Sequence, residues 1–204
     1  MSNRCYYHNT CERFILDTDS HILGELSKHH NHALEDLQKN AWLGQIAILK
    51  NALKDHPEAH LFFEYAIPRM GKRVDNVILL GNKVLVIEFK VGTSAYERYA
   101  IDQAIDYAVD LKNFHESSHD LDLIPVIIST NAEEGVINFT RQADGVYEAI
   151  CINRNQLGQL LNEIELKGKI DPIGWSEGRF KPTPTIVEAA QALFAGHEVE
   201  EISR

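Results

Sequence analysis

From about Ala33 to Leu53, apolar side chains recur at three- and four-residue steps: Leu34, Leu37, Ala41, Trp42, Ile46, Leu49 and Leu53. That is the period of an amphipathic helix. Asp55, His56 and Pro57 end it. The period then shortens, and Leu61 to Ile67, Val74 to Leu80 and Lys83 to Lys90 read as three strands. The first two are separated by Pro68, Arg69, Met70, Gly71 and Lys72, a loop by composition. The second and third are separated by Gly81 and Asn82 alone, glycine first, as a type II′ hairpin turn prefers. A second amphipathic helix is predicted over Tyr96 to Phe114, with Ile101, Ala104, Ile105, Ala108 and Leu111 on its apolar face. Leu123 to Thr130 follows as a buried strand. Tyr147 to Ile152 reads as another strand and Asn155 to Leu166 as a helix.

The order helix, three strands, helix, strand implies an α/β fold with a mixed central sheet flanked by helices. Residues 1–32 are polar and histidine-rich, and His29, His30 and His32 read as a solvated turn before the first helix. Residues 33–168 form the folded domain. Residues 169–204 carry Pro172, Gly174, Gly178, Pro182 and Pro184 and read as a linker-like segment with a short helix over Thr185 to Phe194.

The hairpin fixes a geometry. If Gly81 and Asn82 form the loop, Leu80 pairs with Lys83, and stepping back along both strands brings Asp75 opposite Glu88. Directly opposed Cβ atoms are about 4.5–5.5 Å apart. Alternation puts Lys90 on the face of Glu88. Both faces of the hairpin are largely apolar, so it is central and covered on both sides. Two carboxylates and a lysine thus share one end of a buried hairpin. Like charges buried side by side need neutralising. Lys90 supplies one positive charge, and a divalent cation held by Asp75 and Glu88 would supply the rest. Oxygen ligands favour magnesium or manganese. The competing reading is an internal salt bridge between Lys90 and one carboxylate, which the second carboxylate strains.

Asp75 followed by Glu88-Phe89-Lys90 resembles the D…(D/E)xK signature of the PD-(D/E)XK nucleases, and the element order matches that superfamily's core. The resemblance implies a restriction-endonuclease-like fold in α-β-β-β-α-β order. Gln103 and Tyr107, at i and i+4 on one helix face, resemble the QxxxY motif of the RecB-like branch, where it sits beside the metal and holds the DNA strand. A wider resemblance runs through FFEYAIPRMGKRVDNVILLGNKVLVIEFKVG, IDQAIDYAVDLKNFHESSHD and IPVIISTNA. These segments resemble the N-terminal module of a bacterial nuclease–helicase family. Longer members of that family continue into a P-loop helicase. No GxxxxGKS or GxxxxGKT sequence occurs in this chain, which ends where the helicase would begin.

The resemblance implies a magnesium-dependent deoxyribonuclease domain, with RNA open as an alternative substrate and a helicase domain as a partner. In it Asp75 and Glu88 bind metal, Lys90 orients the attacking water, and Gln103 and Tyr107 position the strand. Glu64 is either a third acid on the face of Asp75 or an ion-pair partner of Arg69 or Arg73. Arg69 and Arg73, beside the hairpin, are candidate phosphate contacts. The family often has a glutamate in its first helix completing the metal site. Helical phase puts Gln45 near that place, a neutral residue that would weaken metal binding, and Glu35 is a poorer substitute by phase.

Composition sets bounds on this reading. At 204 residues, 44% apolar and 25% charged, the chain is ordinary for a soluble protein. No apolar run approaches the ~18–20 residues that span a bilayer, and MSNRCYYHNT has no signal-peptide character. Three cysteines do not make a disulfide scaffold. These features imply a cytoplasmic protein without a membrane partner. The net charge of −10 argues against nucleic acid as a partner. A single basic groove on an acidic chain, or a catalytically weak module that binds DNA or docks onto a helicase, would reconcile the two.

Overall fold

The computed structural model describes residues 4–29 and 36–202, with side chains through residue 194. His30, His32 and Glu35 therefore lie outside the described residues. Six strands form one mixed sheet in chain order: β1 (Tyr7–Thr10), β2 (His60–Ile67), β3 (Lys72–Leu80), β4 (Lys83–Lys90), β5 (Asp122–Ser129) and β6 (Ile150–Ile152). Pairing is antiparallel from β1 to β4 and parallel from β4 through β6. A parallel step needs a crossover, and the helix at Arg98–Phe114 supplies the one from β4 to β5.

The N-terminal segment, polar by composition, is ordered over its described part. It contributes β1 and two short helices, α1 (Cys11–Leu16) and α2 (Asp19–Ser27), capped by Thr10 and Thr18. Threonine oxygens there accept the orphan N–H groups of the first turn. Cys11, Phe14, Ile22 and Leu26 are fully buried. With α3 (Asp36–Leu53) they cover the sheet face formed by Leu61, Phe63, Ile78, Leu80, Leu85, Ile87, Ile124, Val126 and Ile128. The Lys50 ammonium ties α3 to the end of α1, bonding the Asp17 carbonyl at 2.5 Å and Asp19 Oδ1 at 2.7 Å.

The opposite face carries Phe62, Tyr65, Val77, Leu79, Val84 and Val86. It is covered by α4 (Arg98–Phe114), through Tyr107, Ala108 and Leu111. Beyond β6, α5 (Leu157–Glu163) packs on the α3 side. The C-terminal stretch is not a linker over its first part. Helix α6 (Pro172–Ser176) is capped by Asp171, and its Trp175 is buried against Phe62, Tyr65 and His115. The indole N–H donates to Ser118 Oγ at 2.9 Å. Helix α7 (Pro184–Ile202) extends past the short helix expected there, and its side chains through residue 194 are mostly exposed. Among the described residues no helix is long and apolar enough to cross a membrane.

The hairpin register is the one the two-residue loop implies: Leu80 pairs with Lys83 and Asn76 with Ile87. Gly81 takes φ 59, while Asn82 is not in the positive-φ region, as a type II′ turn requires.

Because Trp175 fills the core from outside the central domain, Trp175→Ala is expected to cost about 3–5 kcal/mol. Urea unfolding of the two proteins measures it. A loss under 1 kcal/mol would mean that α6 is a loose appendage.

Candidate functional site

The strands part at one point. Pairing between β3 and β4 stops at Asn76 and Ile87. Past it, β3 stays with β2 as far as the Ile67–Lys72 pair, whereas β4 stays with β5 as far as the Lys90–Ser129 pair. The sheet forks there, and Asp75 and Glu88 occupy its two inner edges. The Asp75 carboxylate bridges the gap, with Oδ2 accepting from the Phe89 backbone N–H at 2.8 Å.

Glu64 stands opposite Asp75 on β2, between the paired residues Phe63 with Asn76 and Tyr65 with Val74. The Phe63 and Asn76 pairing therefore has the phase that puts Glu64 across from Asp75. Its backbone lies in the left-handed region at φ 54, the one described non-glycine residue to do so. Side-chain alternation slips by one residue at this point. Phe62 and Tyr65 face the same core, as do Val74 and Val77 on β3. A glutamate at positive φ inside a strand is strained, of order 1–3 kcal/mol. The slip turns its carboxylate toward α3, where Oε1 accepts from the Trp42 indole N–H at 3.0 Å. No side-chain ion pair with Arg69 or Arg73 forms. Arg73 instead donates to the Glu64 backbone carbonyl at 2.6 Å.

On β4, Lys90 Nζ donates to Glu88 Oε1 at 3.0 Å, so the salt bridge weighed against a metal site is present. It satisfies one oxygen only. Glu88 Oε2 is buried with no hydrogen-bond partner, and so are Gln45 Oε1 and Gln103 Oε1. Each such orphan costs about 1–3 kcal/mol. Gln45 lies one turn beyond Trp42 on the buried face of α3. Asn76, fully buried beside Asp75, has neither side-chain atom partnered, and nothing in the structure accounts for it.

Helix α4 lies over the other side. Gln103 Nε2 donates to the Tyr107 hydroxyl at 2.7 Å, so the QxxxY pair is bonded internally. Burial pushes the Tyr107 phenol up to about 12, the Gln103 bond opposes this, and the charges of Glu88 and Asp75 add to it. The phenol therefore stays protonated beside the two acids.

Both carboxyls are pushed up to about 7. For Asp75 burial comes first, opposed by the Phe89 N–H and Lys90 and reinforced by Glu64. For Glu88 burial comes first, then the charge of Asp75, opposed by Lys90 and more weakly by Lys72. Glu64 is also held above its ordinary value, mainly by burial.

The two arginines are engaged locally. Arg69 Nε donates to Asp110 Oδ1 at 2.9 Å and its guanidinium stacks over Phe114 at 3.6 Å. Arg73 stacks over Tyr6 at 4.2 Å. The cations whose charge reaches Glu88 are Lys90 and Lys72. Trp42 was legible only as a core position, although its spacing from Gln45 placed both on one helix face. Lys72 sat in a loop by composition, yet it opens β3.

The donor set can be tested against a divalent cation. Among the described residues no group of three or more histidine, cysteine, aspartate or glutamate side chains is arranged to hold a metal. Magnesium needs fewer, since it keeps several waters and binds through one or two carboxylates. Two carboxylates, Asp75 and Glu88 with its unpartnered Oε2, are the oxygen donor set a hard cation takes in that mode.

Because the acids titrate above their unfolded values of 3.8 and 4.5, the folded state binds more protons than the unfolded chain. The resulting stability is complete below about pH 4 and is lost as pH rises through about 7. Asp75→Asn keeps an acceptor for the Phe89 N–H and removes a charge. Its urea midpoint should fall less than the wild type's across that window. Parallel curves for the two proteins would show that the pair is not strained by charge.

Comparison of the chain with protein-family models, with curated proteins and with solved structures gives no match.

Proposed function

We propose that this chain is a metal-dependent nuclease domain of the PD-(D/E)XK type, with a restriction-endonuclease-like core, that hydrolyses DNA phosphodiester bonds. The observation that carries the reading is the fork. Asp75 and Glu88 meet where β3 and β4 separate, Lys90 bonds Glu88, and the Gln103–Tyr107 pair lies alongside. A structural ion pair needs one acid and one base. Three neighbouring acids, one lysine and an unpartnered buried carboxylate oxygen exceed that need.

In this reading Asp75 and Glu88 would hold magnesium or manganese. The ion would supply acidity to the attacking water and positive charge to the phosphate. Lys90, anchored by Glu88, orients that water and faces the charge that develops on the phosphoryl oxygens. A water oxygen bonds to phosphorus and releases a proton to solvent, the bridging P–O bond breaks, and the departing alkoxide takes a proton from solvent. Tyr107, kept neutral, offers a hydroxyl to the strand, and Gln103 fixes its orientation. Glu64 acts through position, repelling Asp75 electrostatically while Trp42 holds it. A helicase domain and a cytoplasmic DNA-processing role accompany the reading by resemblance alone.

One observation favours a second reading. Gln45 is neutral on the α3 face nearest the fork, so the acid that the nuclease resemblance leads one to look for is not there. A module that binds DNA without cutting it would tolerate that.

The test is cleavage of linear and circular DNA, single- and double-stranded, with magnesium or manganese. Lys90→Ala should lower the rate by about 100-fold or more, with EDTA abolishing cutting by the wild type. Wild-type protein that binds DNA in a salt-dependent way but never cuts would establish the second reading instead. Equal cutting by the variant would remove Lys90 from the chemistry.

A further inference from the structure

Helix α4 carries a third residue in the line of the QxxxY pair. Tyr99, Gln103 and Tyr107 are spaced at i, i+4 and i+8, so they share one face and lead from the helix start inward. Burial changes along that line. Tyr107 is 1% exposed, Gln103 is half-buried, and Tyr99 is 66% exposed. The Tyr99 ring lies beside the acids, because Lys90 Nζ sits 5.8 Å from its centroid while bonding Glu88. The aromatic ring thus flanks the ammonium at the mouth of the fork.

A ring of this kind offers one flat apolar face to solvent beside a positive charge. That pairing matches a nucleotide, whose base is a flat π-surface attached to a phosphate. Bases inside a duplex have both faces covered by their neighbours, so only an unpaired or terminal base can lie on the ring. We propose that Tyr99 is a stacking platform for an unpaired nucleobase, which makes single-stranded nucleic acid, or a frayed end, the substrate class of the site. The inference rests on the nuclease reading and deepens it. With the base on Tyr99, the attached phosphate falls within reach of Lys90, and the strand runs along α4 toward Gln103 and Tyr107.

Labelled single-stranded DNA and a blunt duplex of equal length, titrated with calcium in place of magnesium, provide the test by fluorescence anisotropy. The wild type should bind the single strand more tightly. Tyr99→Ala should weaken single-strand binding by roughly 5- to 150-fold, the equivalent of losing one base–aromatic stack, and leave duplex binding unchanged. Tyr99→Phe, which keeps the ring, should bind like the wild type. Circular dichroism confirms that the variants keep the helix. Unchanged single-strand affinity in Tyr99→Ala, or an equal loss on both DNAs, overturns the platform even if the wild type cuts DNA. A wild type that neither binds nor cuts any nucleic acid overturns the nuclease reading and the platform with it.

Discussion

The bond from the Phe89 N–H to the Asp75 carboxylate holds the two halves of the sheet together where their ladder ends. Each half alone is ordinary: a β2–β3 ribbon on one side and a parallel β4–β5 pair on the other. Without a bridging acceptor the Phe89 N–H would be a buried donor with no partner. A side chain in place of a backbone carbonyl satisfies it and lets the strands diverge. The same carboxylate is thereby fixed at the inner edge of the gap, facing Glu88. One interaction ends the ladder, opens the fork and positions an acid in it.

Burial explains why this acid cluster keeps its charge poised. The fork lies between α3 on one face and α4 on the other, so water is scarce around it. Scarce water raises the carboxyl pKa values, and the closeness of Glu64, Asp75 and Glu88 raises them further. Lys90 opposes this for Asp75 and Glu88. The chain's net charge of −10 is therefore a poor guide to the field at this point. The cations that act on Glu88 are Lys90 and Lys72, on the two arms of the fork.

The central elements were legible because one short turn constrains everything around it. Gly81 and Asn82 set the register as far as Asn76 and Ile87; the direct Asp75–Glu88 pair that it implies does not form, because the ladder ends one step short and the strands diverge. The helical phase of Gln103 and Tyr107 was readable for the same reason, since i, i+4 neighbours need no tertiary information. The ends of the chain were not legible. Helices α1 and α6 have six and five residues, too few for a period to show, and their buried anchors are single residues such as Phe14 and Trp175. The threonine caps at Thr10 and Thr18 were the available signal. The left-handed backbone of Glu64 leaves no trace in composition, because glycine is the residue that announces such a position. Arg69 reads as a candidate phosphate contact from its place beside the hairpin; its bond to Asp110, brought in by α4, is a tertiary contact that sequence does not show.

The strained backbone of Glu64 also separates two kinds of optimisation. Glycine is the residue that a left-handed position prefers, so a search that rewards only thermal resistance would drift toward it. Glycine there would remove the carboxylate that accepts from the Trp42 indole N–H and delete one of the three neighbouring acids. Selection for robustness and selection for this acid cluster thus pull this single position in opposite directions. A library varied at position 64 would report which of the two the cell demands.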